Sequence, residues 1–167
     1  MKKIVCFGLL ATLVSLSSPA QTPATVFLEK YGTEDNLQAI SIGEKMFDRI
    51  KEQDLGSPEL LNAIEGLENI QIIASKDTDL SKEYYNAACL IMEKSKDLTE
   101  VYSVKNDNLQ LLVKVRETKG VINELIIVSE DSKGFSLINL TGDIDLELLA
   151  GYSSSLNFEE LKKLPDN

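Results

Sequence analysis

From Leu98 to Leu149 the pattern of apolar and polar positions predicts four strands in succession, separated by short polar breaks, then a turn and a closing helix. In 109–117 Leu109, Leu111, Val113 and Val115 are apolar and Gln110, Lys114 and Arg116 polar, with Leu112 as the exception. Successive side chains on a strand point to opposite faces, so this pattern predicts a half-buried strand. Thr118-Lys119-Gly120 reads as a turn. The next strand, 121–129, carries the continuous run Leu125-Ile126-Ile127-Val128, which suits a central position covered on both faces. Ser132-Lys133-Gly134 turns again before a strand at 135–141, and 100–105 precedes them all, ended by Asn106-Asp107-Asn108. Turns this short make sequential strands antiparallel neighbours.

Upstream the period changes to that of a helix. Ala24, Phe27, Leu28 and Tyr31 share one helical face behind a Thr22-Pro23 start, with Gly32 as the stop. Residues 37–42 read as a strand. Met46, Phe47 and Ile50 open a second amphipathic helix. Ser57 and Pro58 start a third, whose stripe is Leu60, Leu61, Ile64 and Leu67 and which ends at Asn69. A strand at 70–74 follows. A polar loop from Lys76 to Asp79 then leads to a helix over 81–94, with Tyr84, Ala88, Ile91 and Met92 on its apolar face and Tyr85 and Cys89 beside it.

After the last strand, Thr141-Gly142-Asp143 is predicted to turn the chain and Asp145 to cap a closing helix, with Ile144 packing on its first turn, against Leu149, and Glu147 favouring its positive end. Asn157 and Glu160 form a capping box before a small face of Phe158, Leu161 and Leu164. The expected fold is α+β: a largely antiparallel six-stranded sheet with helices packed mainly on one face.

Residues 1–20 stand outside that fold. Lys2 and Lys3 precede an apolar run from Ile4 to Leu16, and Ser18-Pro19-Ala20 is a small-residue cleavage site, the layout of a signal peptide. Cys6 lies near the start of the run and away from the cleavage site, which argues against a lipid-anchored start. The run is too short to span a bilayer well, so no stable membrane insertion is expected. Cleavage leaves one domain, 21–167. It removes two positive charges and no negative one, taking the net charge from −10 to −12. That balance argues against nucleic acid as a partner, which calls for clustered Lys and Arg. The exported chain keeps Cys89 alone, so it forms no internal disulfide. With no His in the chain, His-based triads and most zinc or haem sites are excluded, and no cofactor is expected.

Few residues point to chemistry. Asp143 and Asp145 offer two carboxylates after a glycine, but turning and capping account for both. Asp77, Asp79 and Ser81 imitate the first ligand positions of a calcium loop. The imitation fails at Lys82, where glycine is needed, and at Ala88, where a bidentate Glu belongs. Cys89 sits mid-helix among apolar neighbours with no cation or helix start beside it, as a small hydrophobe does. Glycoside hydrolysis by paired acids has 27 candidates, but nothing singles out a pair and there is no Trp to stack a sugar. The Phe158, Leu161, Leu164 face suits either docking on the protein's own sheet or a partner. No catalytic, cofactor-binding or metal-binding residue is assigned.

The segment Phe27-Leu28-Glu29-Lys30-Tyr31, then Ile40-Ser41-Ile42 with Met46-Phe47, resembles the opening of the secreted family called domain of unknown function 4252. Ile138-Asn139-Leu140-Thr141-Gly142-Asp143-Ile144-Asp145-Leu146, followed by Leu156-Asn157-Phe158, is similar to it as well. The resemblance implies a small exported protein of Bacteroidetes-type bacteria, often encoded near extracytoplasmic sigma-factor genes, and carries no site residues. The expected function is an exported envelope accessory or binding protein, non-enzymatic, periplasmic or at the cell surface, with an unidentified envelope protein or ligand as partner. A hydrolase using acidic residues only and a partner in envelope sigma-factor signalling are the alternatives.

The export expectation has a direct check. Protein isolated from its own envelope fraction should begin at Gln21 by intact-mass measurement, and retention of Met1 on that protein would refute it.

Overall fold

The structure is a computed structural model and describes residues 21–53 and 58–145. The described elements are α1 (Pro23–Tyr31), β1 (Gln38–Gly43), α2 (Glu44–Glu52), α3 (Pro58–Ala63), β2 (Leu67–Ser75), α4 (Thr78–Lys94), β3 (Leu98–Lys105), β4 (Leu109–Thr118), β5 (Val121–Asp131) and β6 (Gly134–Ile144). The strands form one antiparallel sheet in the order β1-β2-β6-β5-β4-β3. The fold is therefore α+β, as the alternation implied. β3 to β6 run as a meander because their turns are tight. Lys119 and Gly120, both at positive φ, make the β4–β5 turn, the combination that matches strand twist in a two-residue hairpin. Asn106 Oδ1 accepts from the N–H groups of Asn108 and Leu109 and closes the β3–β4 turn.

The sheet buries both faces. Ile73, Ile126, Val128, Phe135 and Leu137 meet α1 and α4, whose buried residues include Ala24, Phe27, Tyr84, Ala88 and Met92. Phe27 stacks on Phe135 with ring centroids 5.3 Å apart, and Tyr84 lies edge-on to Phe27 at 6.2 Å. This is the helical face. Ile42, Ile72, Leu125, Ile138, Leu140 and Ile144 point the other way, where α2 supplies Phe47 and the turn after α3 supplies Ile64. Among the described residues α2 packs on β1 and β2, and Val115, Leu125 and Ile144 of that face are buried as well; for the recess it carries, it is called the open face. Among the described residues no helix is long and apolar enough to cross a membrane.

Helix starts follow the chemistry of unpaired N–H groups. Thr22 Oγ1 accepts from Thr25 N, with Pro23 next to it, as expected. α4 begins earlier than predicted, at Thr78 and not Ser81, because Asp77 is its cap: Asp77 Oδ1 accepts from the N–H groups of Asp79 and Leu80. Asn36 ties this cap to the core, donating to Asp77 Oδ2 at 3.1 Å and accepting from the Tyr84 hydroxyl at 2.8 Å.

Three other expectations are corrected. α3 ends at Ala63, not Asn69, because Gly66 at φ +85 turns the chain and Leu67 to Asn69 already belong to β2. Leu67 is buried as predicted, but from a strand. Met46 is 40% exposed while Phe47 carries the burial of α2. Most instructively, Thr141-Gly142-Asp143 is not a turn. β6 runs through it to Ile144, and Gly142 takes φ +129 where the β2 and β6 ladders slip register beside Gly66 and Leu67. Ile144 is buried in the sheet's own core, paired with Ile122. The helix that Asp145 was predicted to cap, the Ser57 start and the 157–164 segment lie outside the described residues. A last irregularity is a bulge in the edge strand β3 at Val101, between Glu100 and Tyr102.

Two glycines at positive φ separate crowding from backbone conformation. A Cβ on Gly142 would run into Gly66 O and stand 2.7 Å from Glu68 N, whereas one on Gly120 would meet nothing within 4 Å. Gly120→Ala should therefore cost about 1–2 kcal/mol, the penalty of a left-handed L-residue alone. Gly142→Ala should cost clearly more in a urea melt, since backbone must also shift. Equal costs would mean that the β2–β6 crossing is looser than described.

Candidate functional site

One opening lies on the open face and arises from strand register. One cross-strand row holds Ile40, Ile72 and Ile138. The next row toward the strand ends holds Gln38, Ala74, Ser136 and Ser129. Three small side chains beside three isoleucines leave a recess of about 410 Å³. Its floor is apolar, and Ile40 is 38% exposed at its outer side. Ser129 and Ser136 pair through their hydroxyls at 2.9 Å. Lys76, Asp131 and Lys133 stand at its mouth. Asp131 Oδ1 accepts from Lys133 N at 2.7 Å and shapes the turn there. An apolar cleft with a few convergent polar groups is the usual form of a small-ligand site.

Among the described residues the one buried charged side chain lies on the helical face. Glu124 of β5 is 2% exposed and Asn139 of β6 is 1% exposed. Asn139 Nδ2 donates to Glu124 Oε1 at 2.9 Å, and Arg116 Nη1 of β4 lies 3.1 Å from Glu124 Oε2. Arg116 Nε stands 2.9 Å from Asp97 Oδ2 in an ion pair whose angle falls short of a hydrogen bond. Burial pushes the Glu124 carboxyl above its ordinary value, against the pull of Asn139 and Arg116; Asp97 adds to the rise. Both oxygens are engaged, so the group acts as a cross-strand clamp spanning β4, β5 and β6. A buried charge is tolerated on these terms: one opposite charge and one amide donor.

The candidates read from sequence do not converge. Asp77 is occupied by its cap and by Asn36, and Ser81 turns its hydroxyl back to Thr78 O. Asp143 donates its backbone N–H to Gly66 O at 2.8 Å, and Asp145 is exposed beyond the end of β6. Cys89 is half-buried against the helical-face core. Burial pushes its thiol up, the wrong direction for a nucleophile, and its neighbour Tyr85 is raised to about 12 by burial. Phe158, Leu161 and Leu164 lie outside the described residues. Sequence reading missed the clamp and the recess. Glu124 shares the parity of Ile126 and Val128, so a charge on a buried face was the available signal.

The family model described as Domain of unknown function (DUF4252) matches residues 31–152. No curated protein and no solved structure matches the chain.

The clamp predicts a pH dependence. Between the ordinary glutamate value of 4.5 and the raised one, the folded chain keeps a proton that the unfolded chain has released. Glu124's contribution is therefore greatest below the ordinary value, declines as pH rises through this window, and is level above it. Compared with Glu124→Gln in urea melts, the wild type should gain relative stability on acidification through the window. A gap independent of pH would refute the assignment.

Proposed function

We propose that this chain, which belongs to the DUF4252 family, is a non-enzymatic binding protein of the cell envelope that holds an apolar ligand in the open-face recess. The observation carrying this reading is the row of Ala74, Ser136 and Ser129 beside Ile40, Ile72 and Ile138, which leaves a cavity of about 410 Å³ over an apolar floor. Burial of apolar ligand surface there supplies affinity, while the serine hydroxyls and the lysines at the mouth orient a polar end. The leader-like residues 1–20 support export to the periplasm or cell surface. Hydrolysis by acids alone has less support: it needs two carboxylates facing one space, and Glu124 has its oxygens on Asn139 and Arg116.

Ser136→Phe fills the recess from its floor. Wild-type protein taken from its own envelope fraction should yield an apolar compound on solvent extraction and mass spectrometry. The variant should yield none, while losing about 1 kcal/mol with the Ser129 hydrogen bond. Ligand-free wild type, or a variant that keeps the compound, would remove this reading.

A further inference from the structure

A second opening lies where α1 meets α4, on the side turned away from the sheet. It encloses about 620 Å³ over an apolar floor of Val26, Ala87, Leu90 and Ile91. Leu90 is 58% exposed, the most open of the large apolar side chains in the described chain. Lys30, Lys82 and Lys94 stand around this floor, with Glu83 as the single acid among the lining residues. The groove is thus positive in a chain whose net charge is −10.

The lysines are placed at both ends. On α4, Lys82, Asn86, Leu90 and Lys94 are four residues apart and share one stripe. Lys82 and Lys94 are therefore about 18 Å apart along the axis. Tyr31, at the end of α1, packs on Tyr84, near the start of α4, so the two helices run in opposite directions and Lys30 falls at the Lys82 end. The apolar floor lies between cationic ends.

We propose that this groove docks an amphipathic helical segment of a partner protein, one whose apolar side chains are bracketed by acidic residues at both ends. Leu90 and Ile91 receive the apolar face, Lys30 and Lys82 meet one acidic end, and Lys94 meets the other. Charge complementarity of this kind sets register and speeds encounter. An anionic amphiphile with one head group fits less well, because it satisfies one end and lays hydrocarbon against the other. An anionic bilayer is opposed by the net charge of the whole chain and by the recessed shape of the groove. The proposal rests on different residues from the open-face recess, and the two stand or fall separately.

The probe is a fluorescein-labelled synthetic peptide of about four helical turns, with leucines at helical spacing and glutamates at both ends. It is titrated with the chain from Gln21 to Asn167 and read by polarisation. Saturable binding is expected, weakening as salt screens the charges. Leu90→Asp and the pair Lys82→Glu with Lys94→Glu should each weaken it about tenfold or more. All three positions line an open groove, so melting temperatures should stay at the wild-type value and report intact folding. Three outcomes would overturn the proposal: no saturable binding, equal binding of a peptide with lysines in place of the glutamates, or undiminished binding by Leu90→Asp. Co-sedimentation with phosphatidylglycerol vesicles that depends on Leu90, without peptide binding, would assign the groove to a lipid surface and overturn it as well.

Discussion

β6 must satisfy two hydrogen-bonded ladders and two buried faces at once, and the other elements are arranged around that demand. It pairs with β2 on one side and β5 on the other, joining the antiparallel pair β1–β2 to the other strands of the meander. Phe135 and Leu137 point into the helical face, Ile138, Leu140 and Ile144 into the open one. Such a strand tolerates few polar side chains, and most of their polar atoms find partners. Asn139 donates its amide hydrogens to Glu124 and the Leu125 carbonyl, while its buried Oδ1 has no partner. Gly142 is kept because the backbone of Gly66 and Leu67 passes too close for a side chain. Ser136 is the one small polar side chain facing the open side, and the recess forms beside it.

The two faces consequently differ in kind. The helical face is covered by α1 and α4 over its apolar core and carries the polar clamp of Arg116, Glu124 and Asn139. It holds β4, β5 and β6 in register, since a slip of one residue would turn Glu124 to the other face and leave Arg116 behind. The open face carries no such clamp and owes its recess to a shortage of side-chain volume. The clamp and the recess thus sit on opposite faces of one sheet. A ligand on the open face is held by strands whose register is fixed from behind.

The alternation of Leu109 to Val115 and the run Leu125 to Val128 were sufficient to place β4 and β5 and to mark β5 as central. Local pattern failed where tertiary backbone decided. Leu60, Leu61, Ile64 and Leu67 keep helical spacing, yet Gly66 ends the helical path before Leu67 is reached. Thr141-Gly142-Asp143 has turn composition, but its glycine answers to a neighbouring strand and not to a reversal. Asp77 resembled a loop residue until Asn36, distant in sequence, showed which helix it caps. The recess was invisible for a different reason. It depends on Ala74, Ser129 and Ser136 falling in one row, and rows follow from strand order, which short-range periodicity does not contain.

The bulge at Val101 has a consequence for how this protein lives among copies of itself. β3 ends the sheet, and Val101 and Tyr102 on it are 50% and 56% exposed. A flat edge with exposed apolar side chains invites another strand to add to it. The extra residue at Val101 puts the outward N–H and C=O groups of the two halves of β3 out of step. An incoming strand in register with Ser103 to Lys105 is out of register with Leu98 to Glu100. The bulge thus works against a strand pairing along the full length of this edge.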